Sequence, residues 1–433
     1  MTRHVPHKPH PPKPEMARLR NGVRVLALPL PHALTANVSV FVRSGSAHEP
    51  RRLSGISHVI EHMVFKGSAT RDAKRINLDA EMLGAEVNAH TDKDHCAFHM
   101  RGHPADVLAF VRMLADITLH ATFPEHEIAS ERQVLLQEYA EDEDDPMSIA
   151  FRLFDKACWG THAAAMPVIG SRRLIEGFTR EDLWAHRKQH YNGENIVVAA
   201  AGPINVDAFM AEVERGFAEV DRGQPQLLSA PDYHGGVRSR SQAGSSQTHA
   251  VMGFAIPGQQ ARDATAELGA IVLGEGMSSP LMQRLREQRG LVYYAACTAD
   301  VMDSFGQFVI EASMAPEHLQ DFIRETSALL LAQASSRHPE ELARARKQWA
   351  VRQLRLFERP HRWLEQAALD VFVLGRPRSQ PRWARRVASI TAEQLRVCFE
   401  RLLAQPVTLA LSGHVPRGSS RLSLPLTLHD QAT

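Results

Sequence analysis

Residues 58–62 read His-Val-Ile-Glu-His and carry side chains that could do chemistry together. On an α-helix, residues three and four positions apart lie on one face, so the imidazoles of His58 and His62 and the carboxylate of Glu61 would converge. Two neutral imidazoles can bind Zn²⁺, and a carboxylate beside the metal can serve as a general base. Because the chain has 23 histidines, such a pentamer can also arise by chance. The pattern therefore predicts a metal site that still needs a third ligand.

The residues around this motif favour a buried helix. Ser57 suits a helix N-cap, and Gly67 suits a helix end. The apolar positions of this helix would bury it on several sides: Val59, Ile60, Met63, Val64 and Phe65. Side chains held among core residues are rigid and partly shielded from water, as a catalytic metal requires. The sequence thus predicts that the two histidines lie among core residues and not on a solvated face.

A second helix, predicted over 124–141, could supply the third ligand. Pro124 suits its first turn, and acidic residues follow it there. Four residues of this helix are spaced to form one stripe: Glu131, Val134, Leu135 and Glu138. Two carboxylates on an apolar stripe would be costly to bury without a cationic partner. From the spacing alone, a zinc ion and a salt bridge to Arg or Lys explain the stripe equally well.

The motif at 58–62, followed by Glu138 at 76 positions after His62, resembles the pitrilysin/insulinase family of zinc peptidases (peptidase family M16), in particular its processing-peptidase branch. These enzymes are inverted zincins, whose helix motif has the order H-x-x-E-H. The resemblance implies that His58, His62 and Glu138 bind zinc and that Glu61 is the general base. It also implies that Glu131, which forms an E-x6-E pair with Glu138, orients a ligand histidine.

Residues 87–91, Val-Asn-Ala-His-Thr, resemble the edge strand along which this family binds its substrate. A peptide can add itself to such a strand through backbone hydrogen bonds, a mode called β-augmentation. The resemblance implies that Asn88 and Ala89 contact the peptide near the bond to be cleaved. Asn88 could equally be an ordinary turn residue. Two further strands of the family pattern are expected at 23–28, after the turn-forming pair Asn21-Gly22, and at 38–45.

The chain also repeats itself over a long period. A helix that begins at Thr179 leads to a strand ending at Gly202, and a helix that begins at Thr391, 212 residues later, leads to a strand ending at Gly413. Such self-similarity in a chain of 433 residues indicates a duplicated domain. We therefore expect an α+β fold of two tandem homologous domains, each a mostly antiparallel sheet with helices packed on it. The resemblance adds that the protein closes with a partner into a clam-shell dimer.

The repeat also predicts domain limits and the number of zinc ions. Residues 1–15 are expected to be a disordered arm rich in Pro and His, 16–222 the catalytic zinc-binding domain, 223–236 a linker, and 237–433 a second, substrate-clamping domain. Shifted by 212 residues, the ligand positions fall on side chains that cannot bind a metal: Ala270, Gly274 and, close to the third position, Ala350. We therefore expect one zinc ion per chain.

The second half offers Arg286 and Tyr293, seven positions apart. From the sequence alone, Arg286 is a solvated helix residue and Tyr293 a half-buried strand residue. The resemblance implies instead that Arg286 holds a peptide carbonyl and that Tyr293 donates to the oxyanion of the tetrahedral intermediate. In this family the pair faces the zinc from the other half of the chamber. For a chain of this length the facing half belongs to a second chain, so a homodimer is the simplest expectation and a heterodimer with a zinc-free homologue is the alternative.

Composition narrows the class of protein further. The net charge of +1 gives no reason to expect nucleic acid as a partner, and no stretch is apolar enough to predict a membrane span. The cysteines at 96, 158, 297 and 398 show no paired or metal-binding spacing, and the first residues lack the apolar segment of a secretory signal. A cytoplasmic, reduced protein is expected. His95 and His99 could be rival metal ligands, but ordinary surface or core histidines are the simpler interpretation.

The predicted function is that of a zinc-dependent endopeptidase, which hydrolyses peptides or unfolded polypeptide segments enclosed in a dimeric chamber, with a water activated by Glu61 as the nucleophile. Two alternatives remain open. The chain could be the catalytic subunit of a heterodimer with a zinc-free homologue that trims one precursor peptide, such as the peptide used in pyrroloquinoline quinone biosynthesis. It could also be a non-catalytic peptide-binding or structural member of the family, although a scaffold has no need of a general base.

Overall fold

The computed structural model describes residues 13–419. Most of the arm predicted at 1–15 therefore lies outside the described residues, while Glu15 already belongs to the first strand. The elements of the first half are, in order, β1 (Glu15–Arg18), β2 (Arg24–Pro29), β3 (Ala36–Val42), α1 (Ile56–Met63), α2 (Ala73–Met82), β4 (Glu86–Thr91), β5 (Cys96–Gly102), α3 (Val107–Leu119), α4 (Glu125–Asp144), α5 (Pro146–Trp159), α6 (Arg172–Gly177), α7 (Arg180–His190), β6 (Ile196–Gly202) and α8 (Val206–Phe217).

The strands of the first half form one six-stranded sheet in the order β1-β2-β6-β3-β5-β4. β2 and β6 run parallel, and all other neighbours are antiparallel. Gly22 adopts a φ of 96° in the turn between β1 and β2, which the Asn21-Gly22 pair predicts. β4 pairs only with β5 and is an edge of the sheet, as expected for residues 87–91.

The second half repeats this arrangement. Its elements are β7 (Gly236–Ser241), β8 (Thr248–Pro257), α9 (Thr265–Gly274), β9 (Val292–Val301), β10 (Phe305–Met314), α10 (Leu319–Ser335), α11 (Pro339–Phe357), α12 (Pro360–Leu374), α13 (Gln380–Ser389), α14 (Ala392–Leu403) and β11 (Thr408–Gly413). The five strands follow the order β7-β11-β8-β10-β9, in which only β7 and β11 are parallel. This is the connectivity of β2-β6-β3-β5-β4, so the predicted duplication and the α+β class are confirmed.

Equivalent helices begin in the same way in the two halves. Thr179 caps α7 in a capping box with Asp182, and Thr391 caps α14 in a capping box with Gln394. Between α8 and β7, residues 218–235 contain no helix or strand. The limits of the linker and of the two domains stay predictions.

The two halves pack against each other because a helix of each half covers the sheet of the other. α12 covers one face of the first sheet, where Trp363 and Val371 pack among residues such as Leu28. In return α5 packs on the second sheet, with Phe154 among the buried residues there. A buried hydrogen bond of 3.0 Å from Arg43 Nε to Asp303 Oδ2 also crosses between the halves. The position of α12 against the first sheet is thus set by an apolar core.

The helices of the second half that correspond to α1 and α4 are α9 and α11. They meet through apolar side chains: Leu268, Ile271, Val272, Leu342, Ala345 and Trp349. Neither group of potential metal ligands found within residues 13–419 lies here. The scaffold of the first half is repeated, but its polar centre is replaced by a hydrophobic one.

All four cysteines are free, and Cys96, Cys158 and Cys297 are buried. Burial raises the pKa of the Cys96 thiol far above its usual range, so this thiol stays protonated at neutral pH. Within residues 13–419, no helix combines the length and the apolar character needed to cross a membrane.

Candidate zinc centre

α1, which carries the His58–His62 motif, begins at a backbone position that requires glycine. Gly55 has a φ of 96°, and a Cβ there would lie 2.7 Å from Cα of Gly170. The buried carboxylate of Glu49 accepts hydrogen bonds from the backbone N–H groups of Gly55 (2.6 Å) and Ser57 (2.8 Å). Glu49 therefore satisfies donors that would otherwise be free at the helix start. The prediction of Ser57 as the N-cap is wrong, because Ser57 lies inside the helix.

The potential ligand atoms of His58, His62 and Glu138 converge between α1 and α4, all within 4.8 Å of one another. His58 Nε2 lies 3.4 Å from Glu138 Oε1, and His62 Nε2 lies 3.5 Å from Glu138 Oε2. Ligands bound tetrahedrally to zinc at about 2.0–2.1 Å stand about 3.3–3.4 Å apart. The spacing of these donors therefore fits a zinc ion.

The three potential ligands differ in how far they are exposed to solvent. His58 is buried, whereas the side chain of His62 is 20% exposed and that of Glu138 is 44% exposed. A metal bound here would be anchored on the core side and open on the other, as a catalytic ion requires. Hydrogen bonds with His58 and His62 hold the pKa of the Glu138 carboxyl well below its usual range. Glu138 is therefore ionised and ready to act as a ligand.

Glu131 lies behind His62 and orients its ring. Glu131 Oε1 lies 2.8 Å from His62 Nδ1, and Glu131 Oε2 lies 2.5 Å from Lys66 Nζ. Burial lowers the pKa of His62, but its contacts with Glu131 and Glu138 outweigh burial and raise it to about 9. Burial raises the pKa of Glu131, but His62 and Lys66 lower it overall. This contact turns the Nε2 atom of His62 toward Glu138.

The spacing of the stripe on α4 left two explanations open, a zinc ion and a salt bridge, and its two carboxylates have different partners. Glu131 forms an ion pair with Lys66, whereas Glu138 has no Arg or Lys ion partner among residues 13–419 and meets only histidines. The stripe itself is only partly buried. Glu131 and Leu135 are buried, but Val134 is 50% exposed.

Glu61 is held by the edge strand. The Thr91 hydroxyl on β4 donates a hydrogen bond of 2.7 Å to Glu61 Oε2. Glu61 is partly exposed and lies on the same helix as His58 and His62. A hydrogen bond to a carboxylate restricts its rotation, so Thr91 limits the orientations that the Glu61 carboxylate can adopt.

The predicted substrate-binding strand is open on its outer side. Asn88 and Ala89 lie inside β4, which excludes the interpretation of Asn88 as a turn residue. Asn88 is exposed, and its Oδ1 accepts a hydrogen bond of 2.8 Å from the backbone N–H of Ala89. An edge strand presents unpaired backbone groups to an incoming chain. The roles of Asn88 and Ala89 toward a substrate stay predictions.

Arg286 and Tyr293 contact each other but not the zinc cluster. Arg286 lies on a short π-helix, Met282–Gln288, and its Cζ stands 4.9 Å from the centroid of the Tyr293 ring. Tyr293 is 83% exposed, so the expectation of a half-buried strand residue is wrong. Among residues 13–419, no ion pair links Arg286 to Glu138 and no hydrogen bond links it to His58 or His62. The pair is thus displayed on the surface of the second half.

Comparison with known proteins assigns the chain to a family. The model of the insulinase family (peptidase family M16) matches residues 24–172, and the model of the peptidase M16 inactive domain matches residues 177–349. An uncharacterized zinc protease of Mycobacterium tuberculosis is 30% identical over 425 residues, which cover 96% of this chain and 96% of that protein. The chain belongs to peptidase family M16. The resemblance seen in the zinc motif is therefore confirmed.

A second relative and two solved structures are also similar to this chain, the relative in sequence and the structures in fold. An uncharacterized zinc protease of Rickettsia felis is 30% identical over 335 residues, 77% of this chain and 81% of that protein. A protease from Helicobacter pylori superposes with a TM-score of 0.84 at 21% identity, covering 93% of this chain and 99% of that one. The peptidase M16 inactive domain from Pseudomonas fluorescens superposes with a TM-score of 0.82 at 20% identity, covering 93% and 98%. These structures support the M16 fold.

Three residues that shape this M16 centre were not predicted from the sequence. Lys66, which pairs with Glu131, lies four positions after His62, so helical spacing could have suggested it. Thr91 belongs to the predicted edge strand, but nothing in the sequence pointed to its contact with Glu61. Glu49 gave no signal, because its role at the start of α1 depends on how the preceding loop folds back.

Proposed function

We propose that this M16 protein is a zinc-dependent endopeptidase that hydrolyses peptides or unfolded polypeptide segments. The observation that carries the proposal is the convergence of His58, His62 and Glu138 within 4.8 Å, with Glu61 on the same helix as the two histidines. The relatives named zinc proteases support the same chemistry. A ligand set with a neighbouring base is what hydrolysis requires and what a purely structural role does not.

The residues of the site divide the work between binding and proton transfer. Zinc bound by His58, His62 and Glu138 would act as a Lewis acid toward water and the scissile carbonyl. Glu61 accepts the proton of the attacking water and delivers it to the leaving amine nitrogen. Thr91 holds the Glu61 carboxylate in place through its 2.7 Å hydrogen bond.

The substrate is proposed to lie along β4 as an added strand. β4 is one of the two edge strands of the first sheet, and Thr91 at its end contacts Glu61. A peptide paired with the backbone around Asn88 and Ala89 would therefore run toward the base. Backbone pairing reads an extended chain and not a terminus, which favours internal cleavage. It also favours peptides or unfolded segments over folded proteins.

The second half is proposed to complete the site of another chain. The exposed Tyr293 contacts the half-buried Arg286, and within residues 13–419 neither is hydrogen-bonded to the zinc cluster. Since one chain carries both the zinc half and the clamping half, a homodimer in which the halves face each other supplies two complete sites. In that arrangement Arg286 holds a substrate carbonyl and Tyr293 donates to the developing oxyanion.

The test is metal-dependent cleavage of an internally quenched peptide. Chelation should abolish cleavage and added Zn²⁺ should restore it. His62→Ala and Glu138→Ala should lose both zinc at this site and cleavage, whereas His126→Ala, at an exposed position of α4, should retain both. Cleavage that survives complete zinc removal, or that survives in both ligand variants, would contradict the proposal.

A further inference from the structure

A second cluster of potential metal ligands lies on the far side of β4. Ligand atoms of four residues fall within 4.8 Å of one another: His90, Asp92, His95 and Glu365. The first three belong to β4 and the loop after it, whereas Glu365 belongs to α12 of the second half. The proposed peptidase mechanism uses none of them. The cluster therefore joins the two halves at a place that catalysis does not explain.

His95 is the residue in this cluster that most needs a partner. It is 1% exposed, and its Nδ1 lies 2.7 Å from Asp94 Oδ1. Its Nε2 is buried and has no hydrogen-bond partner among residues 13–419, because the nearest carboxylate oxygen, on Glu365, is 3.7 Å away. An imidazole whose Nδ1–H donates to a carboxylate presents the lone pair of Nε2, as histidine ligands of metals commonly do.

The other three members complete the donor set. His90 Nε2 lies 3.1 Å from Glu365 Oε1, and exposed Asp92 places a carboxylate beside them. Two imidazole nitrogens and two carboxylate oxygens suit a divalent transition metal, and four such donors suit the tetrahedral preference of zinc. Two carboxylates also balance the charge of a divalent cation.

We propose that these residues form a second divalent-metal site, for which Zn²⁺ is the probe, with four ligands: His90, Asp92, His95 and Glu365. The rival explanation is a metal-free ion network. Burial lowers the pKa of His95, but Asp94 and Glu365 outweigh it and raise that pKa to about 10. In that network a proton on His95 Nε2 would face an acceptor beyond hydrogen-bond distance, whereas a metal would satisfy this atom.

The site is structural in character. It would connect the edge strand of the first half to α12, the helix that the second half packs on the first sheet. It would also add a metal ion to the single zinc per chain expected from the motif at 58–62. The inference does not rest on the proposed peptidase activity, because zinc binding and stability can be measured without cleavage.

The experiment counts zinc in variants of the full chain that lack the first site. After chelator treatment and gel filtration, His62→Ala protein is titrated with Zn²⁺ by calorimetry, and its metal content is checked by mass spectrometry. Adding His90→Gln or Glu365→Gln to this background should remove one equivalent of bound zinc. All these proteins share the N-terminal histidines at 4, 7 and 10, so binding there cancels in the difference. His99→Gln is the matched control, since its ring lies 5.8 Å from His90 but supplies none of the four ligands.

The melting temperature provides a second test of the same site. Zn²⁺ should raise the melting temperature of His62→Ala, and this rise should be lost in the double variants and kept with His99→Gln. Two variants from different halves guard against a local folding defect at either position. If His62→Ala binds the same zinc and gains the same stability with or without His90→Gln and Glu365→Gln, the cluster is an ion network and the proposal is overturned.

Discussion

Glu131 on α4 lies 2.8 Å from Nδ1 of His62 on α1, so a buried carboxylate sets the orientation of a proposed zinc ligand from the neighbouring helix. Lys66 binds the second oxygen of the same carboxylate and holds it from the other side. Carboxylates in this position fix the tautomer of a ligand histidine and raise its basicity. Glu131 is thus a positioning residue whose effect should be visible in zinc affinity.

Glu131→Gln should weaken zinc binding about 10-fold or more, because the amide cannot supply the negative charge behind His62. Competition with a chromophoric chelator measures the affinity directly. Glu125→Gln, at an exposed position in the first turn of the same helix, is the matched control and should bind zinc like the unaltered protein. Equal affinity of both variants would show that the contact between Glu131 and His62 does not support the metal.

Thr91→Val should slow cleavage while leaving zinc content unchanged. The hydrogen bond from Thr91 to the Glu61 carboxylate is lost, and a bond to a charged group contributes about 1.5–3 kcal/mol, or about 10- to 100-fold in kcat/KM. Thr91→Ser keeps the hydroxyl and should retain most of the activity. If valine and serine variants cleave a quenched peptide equally fast, Thr91 does not position the base.

Removal of zinc should make stability depend on the charge of His62. Its pKa is raised from the usual 6.5 to about 9 by Glu131 and Glu138. Because the folded state favours the protonated ring, this contribution is fully present below pH 6.5 and disappears as the pH rises through about 9. Its size is at most on the order of 3 kcal/mol.

Urea unfolding of chelator-treated protein and chelator-treated His62→Gln measures this contribution. The stability difference between the two should be at its full size below about pH 6.5 and should narrow as the pH rises toward 9. If zinc is added, His62 would serve as a ligand and would no longer titrate, so the unaltered protein should lose this dependence. A difference that stays constant across the same interval would contradict the assigned contacts.

Mixing two inactive variants tests whether the site is shared between chains. Glu61→Gln lacks the base, and Tyr293→Phe lacks the proposed oxyanion donor, so each homodimer should be impaired. If Tyr293 acts in the partner's site, each mixed dimer contains one intact site, and an equal mixture should recover about a quarter of normal activity. Tyr294→Phe, at the exposed neighbouring position, is the control and should be active alone.

The outcome of mixing also separates the alternatives for assembly. No recovery in a mixture of freely exchanging dimers would mean that Tyr293 acts within its own chain or not at all. If the unaltered, zinc-loaded protein is inactive alone, a heterodimer with a zinc-free homologue becomes the better account.

The sequence predicted the parts of the molecule that depend on local spacing. His58, Glu61 and His62 share a face because α1 is a regular helix, and Thr179 and Thr391 cap their helices because a capping box needs only neighbouring residues. The edge position of β4 followed from the family pattern. Glu138 lies on a different helix from the two histidines, so local spacing could not identify it as the third ligand, and only the resemblance did.

The features that could not be predicted from the sequence depend on long-range packing. Glu365 reaches the loop after β4 only because α12 packs across the first sheet. His95 could therefore be interpreted as an ordinary histidine, since nothing local shows its buried Nε2 without a partner. Val134 lies on the same stripe of α4 as the buried residues Glu131 and Leu135, yet half of its side chain is exposed. Helical periodicity states which residues share a face, but not what covers that face.

The central claim, that Glu61 is the base of a zinc peptidase centre, is tested most directly by comparing Glu61→Gln with the unaltered protein when both are loaded with zinc. Zinc content is measured first, and cleavage of the same quenched peptide is measured next. We predict equal zinc content and a cleavage rate lower by about 10²- to 10⁴-fold, because the amide cannot accept the proton from water. Zinc-loaded Glu61→Gln that cleaves the peptide at a rate close to that of the unaltered protein would contradict the account.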